Sequence, residues 1–182
     1  MNPFELAKPF WRLCLLRQGP QDLPASGSLL VLVLAVYFGV SVAIALPMYG
    51  SSLALTQALA ETMLLGLFTR VILAIARRPN RWVQTFTALA GVGALLGLFV
   101  LPLVHVLAPA GDEPGTLEGL ASLVYLGLIG WLLAAYGHVF RHALSLRGLA
   151  PGVLLALAYV FLSAIVVELL LPAGIAQSGL VQ

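Results

Sequence analysis

The sequence predicts an all-α, polytopic membrane protein with five transmembrane helices preceded by a short amphipathic helix in the membrane interface. Three observations predict it. Of the 182 residues 61% are hydrophobic and 9% charged, against roughly a quarter charged in ordinary soluble domains. Five apolar stretches each approach the ~20 residues that a helix needs to cross a hydrocarbon core of about 30 Å. All the Lys and Arg residues except Arg70 cluster at alternate ends of those stretches. Seven acidic and nine basic side chains could not coat the surface of a water-soluble core of this size, so the predicted surface faces lipid.

The first element is the helix within Pro3 to Arg17. Glu5, Lys8 and Arg12 share one face, while Phe4, Leu6, Phe10, Leu13 and Cys14 occupy the others, with Trp11 at their edge. That pattern describes a helix lying in the cytoplasmic interface. Gly19 to Ser28, with Pro20 and Pro24, forms an elbow into the first span. Residues 1–27 thus form an interfacial helix and elbow, 28–172 a five-helix transmembrane domain and 173–182 a non-cytoplasmic tail. Pro3, Glu5, Pro9 and Trp11 interrupt what would be the start of a cleavable signal, so the first span is read as uncleaved.

The spans run from Leu29 to Leu46, Leu53 to Ala76, Val83 to Leu107, Leu117 to Phe140 and Leu149 to Leu171. These runs are continuous and about twice as long as the alternating strands of a membrane barrel. The breaks carry helix-stop chemistry: Pro47 with Gly50, Pro79 with Asn80, Pro109 with Gly111 and Pro114, and Arg147 with Gly148 and Pro151. Pro172 and Gly174 are expected to close the last span, and Pro102 to kink the third near its outer end.

Orientation follows from the basic residues, which mark cytoplasmic loops. Lys8, Arg12 and Arg17 precede the first span; Arg77, Arg78 and Arg81 follow the second; Arg141 and Arg147 follow the fourth. The loops at the other end lack Lys and Arg, and one of them carries Asp112 and Glu113. The N-terminus is therefore expected in the cytoplasm and the C-terminus across the membrane. The Arg, Ala, Gly and Leu bias suggests a GC-rich bacterium and hence a multi-pass inner-membrane protein. Basic residues grouped beside apolar spans give the pattern of membrane topology, so no nucleic-acid partner is expected.

Ionisable groups inside spans are costly and often functional. Glu61 is the deepest carboxylate, about 12 Å along the second span at 1.5 Å per residue. It reads either as a proton or cation site or as a neutral carboxyl hydrogen-bonded across helices, with Tyr125 and Ser163 at similar depth. Arg70 lies nearer the cytoplasmic end, can snorkel to the interface, and points about 180° away from Glu61. Glu168 is placed near the outer interface, as is His105.

His138 and His142, at helical i and i+4, lack the further ligands zinc needs. With Arg141 and Arg147 they read as a surface touching lipid headgroups. Gly93 with Gly97, and Gly130 with Ala134, are small pairs that let helices approach closely. No metal or cofactor is expected. Cys14 is the lone cysteine, and the metalloprotease, nucleophile-elbow and phosphate-loop motifs are absent from the sequence. No enzyme is expected.

Three segments carry a family resemblance: L-L-R-Q-G-P at Leu15 to Pro20, R-R-P-N-R-W-V-Q-T-F-T-A at Arg77 to Ala88, and the turn from Tyr136 to Leu149. In these and in its five spans behind a cytoplasmic N-terminal region, the chain resembles the bacterial branch of the Yip1 family. The resemblance implies a non-enzymatic membrane protein that binds other membrane proteins or shapes the bilayer. The leading expectation is thus a scaffold or accessory subunit whose partners are membrane lipids and other membrane proteins or further copies of itself. The alternative is a transporter subunit using Glu61 as a proton- or substrate-linked site. A reporter active only outside the cytoplasm, fused after Gln182, should be active; cytoplasmic behaviour of that fusion would refute five spans.

Overall fold

The computed structural model describes the backbone of residues 3–107 and 115–178, and the side chains of 7–107 and 115–170. The break at Pro109, Gly111 and Pro114, with Asp112 and Glu113, lies outside the described residues, as does the tail beyond Ser178. The described chain is all-helical: α1 (Pro3–Cys14), α2 (Gly27–Ile75), α3 (Trp82–Leu107), α4 (Thr116–Leu144) and α5 (Leu149–Ser178). Four of these helices, α2 to α5, are long and apolar enough to cross a membrane.

α2 begins at Ser26, whose hydroxyl accepts a hydrogen bond from the Leu29 N–H at 3.4 Å. Its 49 residues would extend about 74 Å as one rod, more than twice the hydrocarbon thickness. The helix is interrupted at Gly50, where φ is 73° and ψ 173°, three residues after Pro47. That conformation is essentially confined to glycine. The two limbs, 27–49 and 51–75, then return alongside each other. Leu34 shares a groove with Met63, Leu64 and Leu67, and Tyr37 and Ser41 share a cavity with Glu61 and Gln57. Residues equally distant from the break thus meet, as in an antiparallel hairpin.

α3 is the central helix, with Thr85, Phe86, Thr87, Ala88, Leu89 and Ala90 all buried. Its buried threonines satisfy their own hydroxyls, Thr85 donating to the Arg81 carbonyl at 2.8 Å and Thr87 to the Val83 carbonyl at 2.7 Å. Small residues let the neighbours close in. A methyl at Gly97 would come within 2.6 Å of Val40, and one at Gly66 within 2.9 Å of Phe86. Pro102 sits inside α3, which continues to Leu107.

α4 ends at Ser145 in a left-handed conformation (φ 54°), one turn beyond the expected Phe140. Arg141 and His142 lie in that last turn, where cations suit the negative end of the helix dipole. α5 runs through Pro172 and Gly174 to Ser178, which corrects the expected stop. A single proline forfeits one hydrogen bond, and apolar surroundings favour keeping the remaining ones within the helix. α4 and α5 meet most closely at glycines: a methyl at Gly152 would lie 2.1 Å from the Gly137 carbonyl oxygen.

α1 is docked into the bundle. Phe10, Leu13 and Cys14 are buried in one core cluster with Tyr37, Leu89, Tyr136 and Phe140, and Gly91 leaves room for the Phe10 ring, which a methyl there would approach to 2.2 Å. Lys8, Trp11, Arg12 and Arg17 face outward. Burial pushes the Cys14 thiol up to about 11, so it stays protonated and unreactive at neutral pH.

Gly50 separates a conformational requirement from a steric one, since neither it nor Gly39 has an atom within 4 Å of an added methyl. Gly50→Ala should destabilise the protein by about 1–3 kcal/mol in SDS-titration unfolding. Gly39→Ala, within the helix, should be neutral or stabilising. Equal effects would remove the conformational account of the break.

Candidate functional site: a polar cavity within the bundle

A cavity of about 370 Å³ opens between the two limbs of α2 and helices α3, α4 and α5. Its polar lining arrives in helical register. The first limb supplies Tyr37 and Ser41, the second Gln57 and Glu61, and α5 Tyr159 and Ser163, each pair four residues apart and therefore on one helix face. α4 supplies Tyr125 and Tyr136, eleven residues or about three turns apart. Gly93 and Gly97 of α3 also line it.

Glu61 is held by its own helix, with the Gln57 side-chain amide donating to its Oε1 at 3.0 Å. Gln57 Oε1 is left buried without a partner. Tyr37, Ser41 and Tyr159 line the same cavity. The Tyr136 and Tyr159 rings lie 6.0 Å apart at 45°. Phe68 packs on Tyr159 at 5.6 Å and on Phe140 at 6.0 Å, joining the cavity wall to the core.

Among the described residues no Lys, Arg or His lines the cavity. Its lining offers a carboxyl group and an amide oxygen, both acceptors when the carboxyl is ionised, together with Tyr and Ser hydroxyls that can donate or accept. The arrangement therefore suits a proton or a donor-bearing cation, with tyrosine rings as further cation-compatible surface.

Glu61, Tyr125 and Ser163, singled out by depth in the sequence, thus line one cavity. Sequence reasoning missed Tyr37, Ser41, Gln57, Tyr136 and Tyr159. The available signal was the recurrence of polar pairs at i, i+4 in spans where nearly every other residue is apolar.

The remaining candidates lie elsewhere. Arg70 stacks its guanidinium on Trp82 at 5.6 Å, and the Trp82 indole donates to the Gly66 carbonyl at 3.1 Å; Arg70 and Glu61 line different cavities. His138 is buried, with 7% exposure, and its Nε2–H donates to the Gln18 carbonyl at 3.0 Å. It pins the elbow, whereas the sequence had set it among headgroup-contacting residues. His142 packs against it, ring centroids 4.5 Å apart. Among the described residues no group of three or more His, Cys, Asp or Glu could hold a metal ion. Arg77 and Arg147 are exposed, as is Glu168. Gly93 faces Tyr136 and Tyr37, and Gly97 faces Val40, all within the chain; Gly130 has open space beside it and Ala134 is half-buried.

No family model, curated protein or solved structure matches the chain.

A water-connected cavity has a direct chemical readout. In a Cys14→Ala background, Ser163→Cys should react with a small cationic methanethiosulfonate at least about tenfold faster than Ala88→Cys, which sits in the packed core. Equal, slow labelling at both positions would mark the cavity as dry.

Proposed function

We propose that this chain is a five-span membrane protein and a transport subunit whose proton- or cation-linked site is the Glu61 cavity. In this reading the two limbs of α2 cross the bilayer separately, and α1 docks at the cytoplasmic side of an inner membrane. The N-terminus lies in the cytoplasm and the C-terminus across the membrane. The division of α2 at Gly50 supports the count, and the clustering of Arg at one end of the helices supports the orientation.

One observation carries the functional part: a carboxylate within the apolar bundle lines a cavity with Tyr, Ser and Gln side chains, and no cationic side chain lines it among the described residues. A purely structural carboxyl gains most from cross-helix hydrogen bonds, yet the partner of Glu61 is Gln57 one turn away on the same helix. That leaves the cavity side of the carboxyl available to an incoming ligand. Protonation or cation binding there would neutralise the site and lower the cost of moving it within the membrane.

A scaffold or accessory role, the first expectation from the sequence and from its Yip1-like pattern, has its own support. Gly119, Gly127 and Gly130 of α4 have nothing within 4 Å of an added methyl, and Leu120, Leu123 and Leu126 are exposed on the same helix. Such a surface admits a close-packed helix from another membrane protein. The Glu61 cavity has no part in that role, and flux separates the two readings.

In proteoliposomes with an internal dye for pH or for the cation tested and an imposed potassium-diffusion potential, wild type should carry proton or cation flux above empty vesicles. Glu61→Gln should lower it at least about a hundredfold, the lower end of the usual scale for loss of an essential proton-transfer group, while exposed Glu168→Gln leaves it unchanged. Wild-type vesicles indistinguishable from empty ones would overturn the transport reading.

A further inference from the structure

At the Arg-rich end of the bundle a second cavity, of about 410 Å³, is lined by Gln21, Arg81, Arg141, His142, Ser145 and Leu146. These residues come from three separate places: the turn before α2, the turn before α3, and the end of α4. Two arginines and a histidine line it, and no carboxylate does so among the described residues. The nearest acid in sequence, Asp22, is engaged in its own turn, where its Oδ2 accepts the Gly19 N–H at 2.9 Å.

The simplest role for Arg81 is capping α4, since its Nη1 donates to the His142 and Ala143 carbonyls at 3.2 and 3.0 Å. Arg78 likewise donates to the Ser145 hydroxyl. The backbone N–H groups of Ser145 and Leu146 satisfy the His142 and Arg141 carbonyls at 3.4 and 2.9 Å. The exposed end of α4 is therefore provided with donors before Arg141 is counted. The Arg141 side chain takes part in none of these caps, and the residue is half-buried and adds a permanent charge to a cavity already positive.

We propose that this cavity binds a phosphate group, held chiefly by Arg141 with Arg81 and His142 beside it. A planar guanidinium matches phosphate oxygens in a two-point arrangement, and basic pockets between helices at a membrane surface are suited to lipid phosphates. Occupancy would tie the turn before α2, the turn before α3 and the end of α4 together through one anion. The site is independent of the Glu61 cavity, with which it shares no lining residue.

The test measures binding to the full chain in a neutral maltoside detergent, with phosphatidic acid, diacylglycerol of the same acyl chains, and inorganic phosphate as probes. Phosphatidic acid should bind wild type at least about tenfold more tightly than diacylglycerol. Arg141→Gln should weaken that binding about tenfold, the usual scale for losing one charge-assisted pair. Exposed Arg147→Gln, outside the cavity, should leave it within about twofold. Inorganic phosphate binding with the same Arg141 dependence would support the site and identify a soluble occupant, whereas binding of the lipid alone would identify a headgroup. Equal loss in the Arg141 and Arg147 variants would overturn the proposal in favour of diffuse charge attraction. Absence of phosphate-dependent binding to wild type would overturn it outright.

Discussion

A backbone surrounded by hydrocarbon must satisfy its own hydrogen bonds, and every larger feature of this protein follows from where that requirement is met and where it is interrupted. Continuous helices meet it over most of the chain. The costly exception is Gly50, where the helix breaks in a backbone conformation that only glycine adopts readily. Because the limbs return beside each other, Tyr37 and Ser41 come to face Glu61 and Gln57 across a cavity. Without the reversal these residues would be strung along one rod.

The same requirement explains how the N-terminal segment is held. Between α1 and α2 the chain turns away from regular helix, so carbonyls there need partners from elsewhere. Three side chains supply them: Trp131 donates to the Cys14 carbonyl at 2.9 Å, His138 to Gln18 at 3.0 Å and Gln84 to Leu23 at 2.7 Å. The donors come from the middle and end of α4 and the start of α3. His138, read from the sequence as an interface residue, thus joins Trp131 and Gln84 in binding the elbow to the bundle, while Phe10, Leu13 and Cys14 extend the apolar core beneath it. α1 is as much a packing element as a surface one.

The apolar helices were legible because span length and helix-stop residues act locally. Pro47 with Gly50 marked the interruption of α2, and Arg77 to Arg81 marked the turn before α3. Depth counting was enough to associate Glu61, Tyr125 and Ser163, since rise per residue is fixed. It could not find Gln57 as the partner of Glu61, because the choice between an i+4 neighbour and a cross-helix tyrosine depends on rotation about the helix axis. Nor could it find the Gly137 and Gly152 contact, whose two members belong to different helices and have no shared sequence spacing. The extension of α5 through Pro172 was misread because the sequence offers a breaker but not the surroundings that decide whether the breaker wins.

The hairpin at Gly50 builds the cavity, so its most direct test is a distance. Spin labels at Ser28→Cys and Ile75→Cys, both exposed positions near opposite ends of α2, can be measured by pulsed electron–electron resonance in lipid nanodiscs with Cys14 replaced by alanine. Antiparallel limbs bring both labels to the same end of the bundle, within about 30 Å of each other, the width of a small helical domain. A distribution centred near 70 Å, the length of 47 residues of unbroken helix at about 1.5 Å each, would contradict the account.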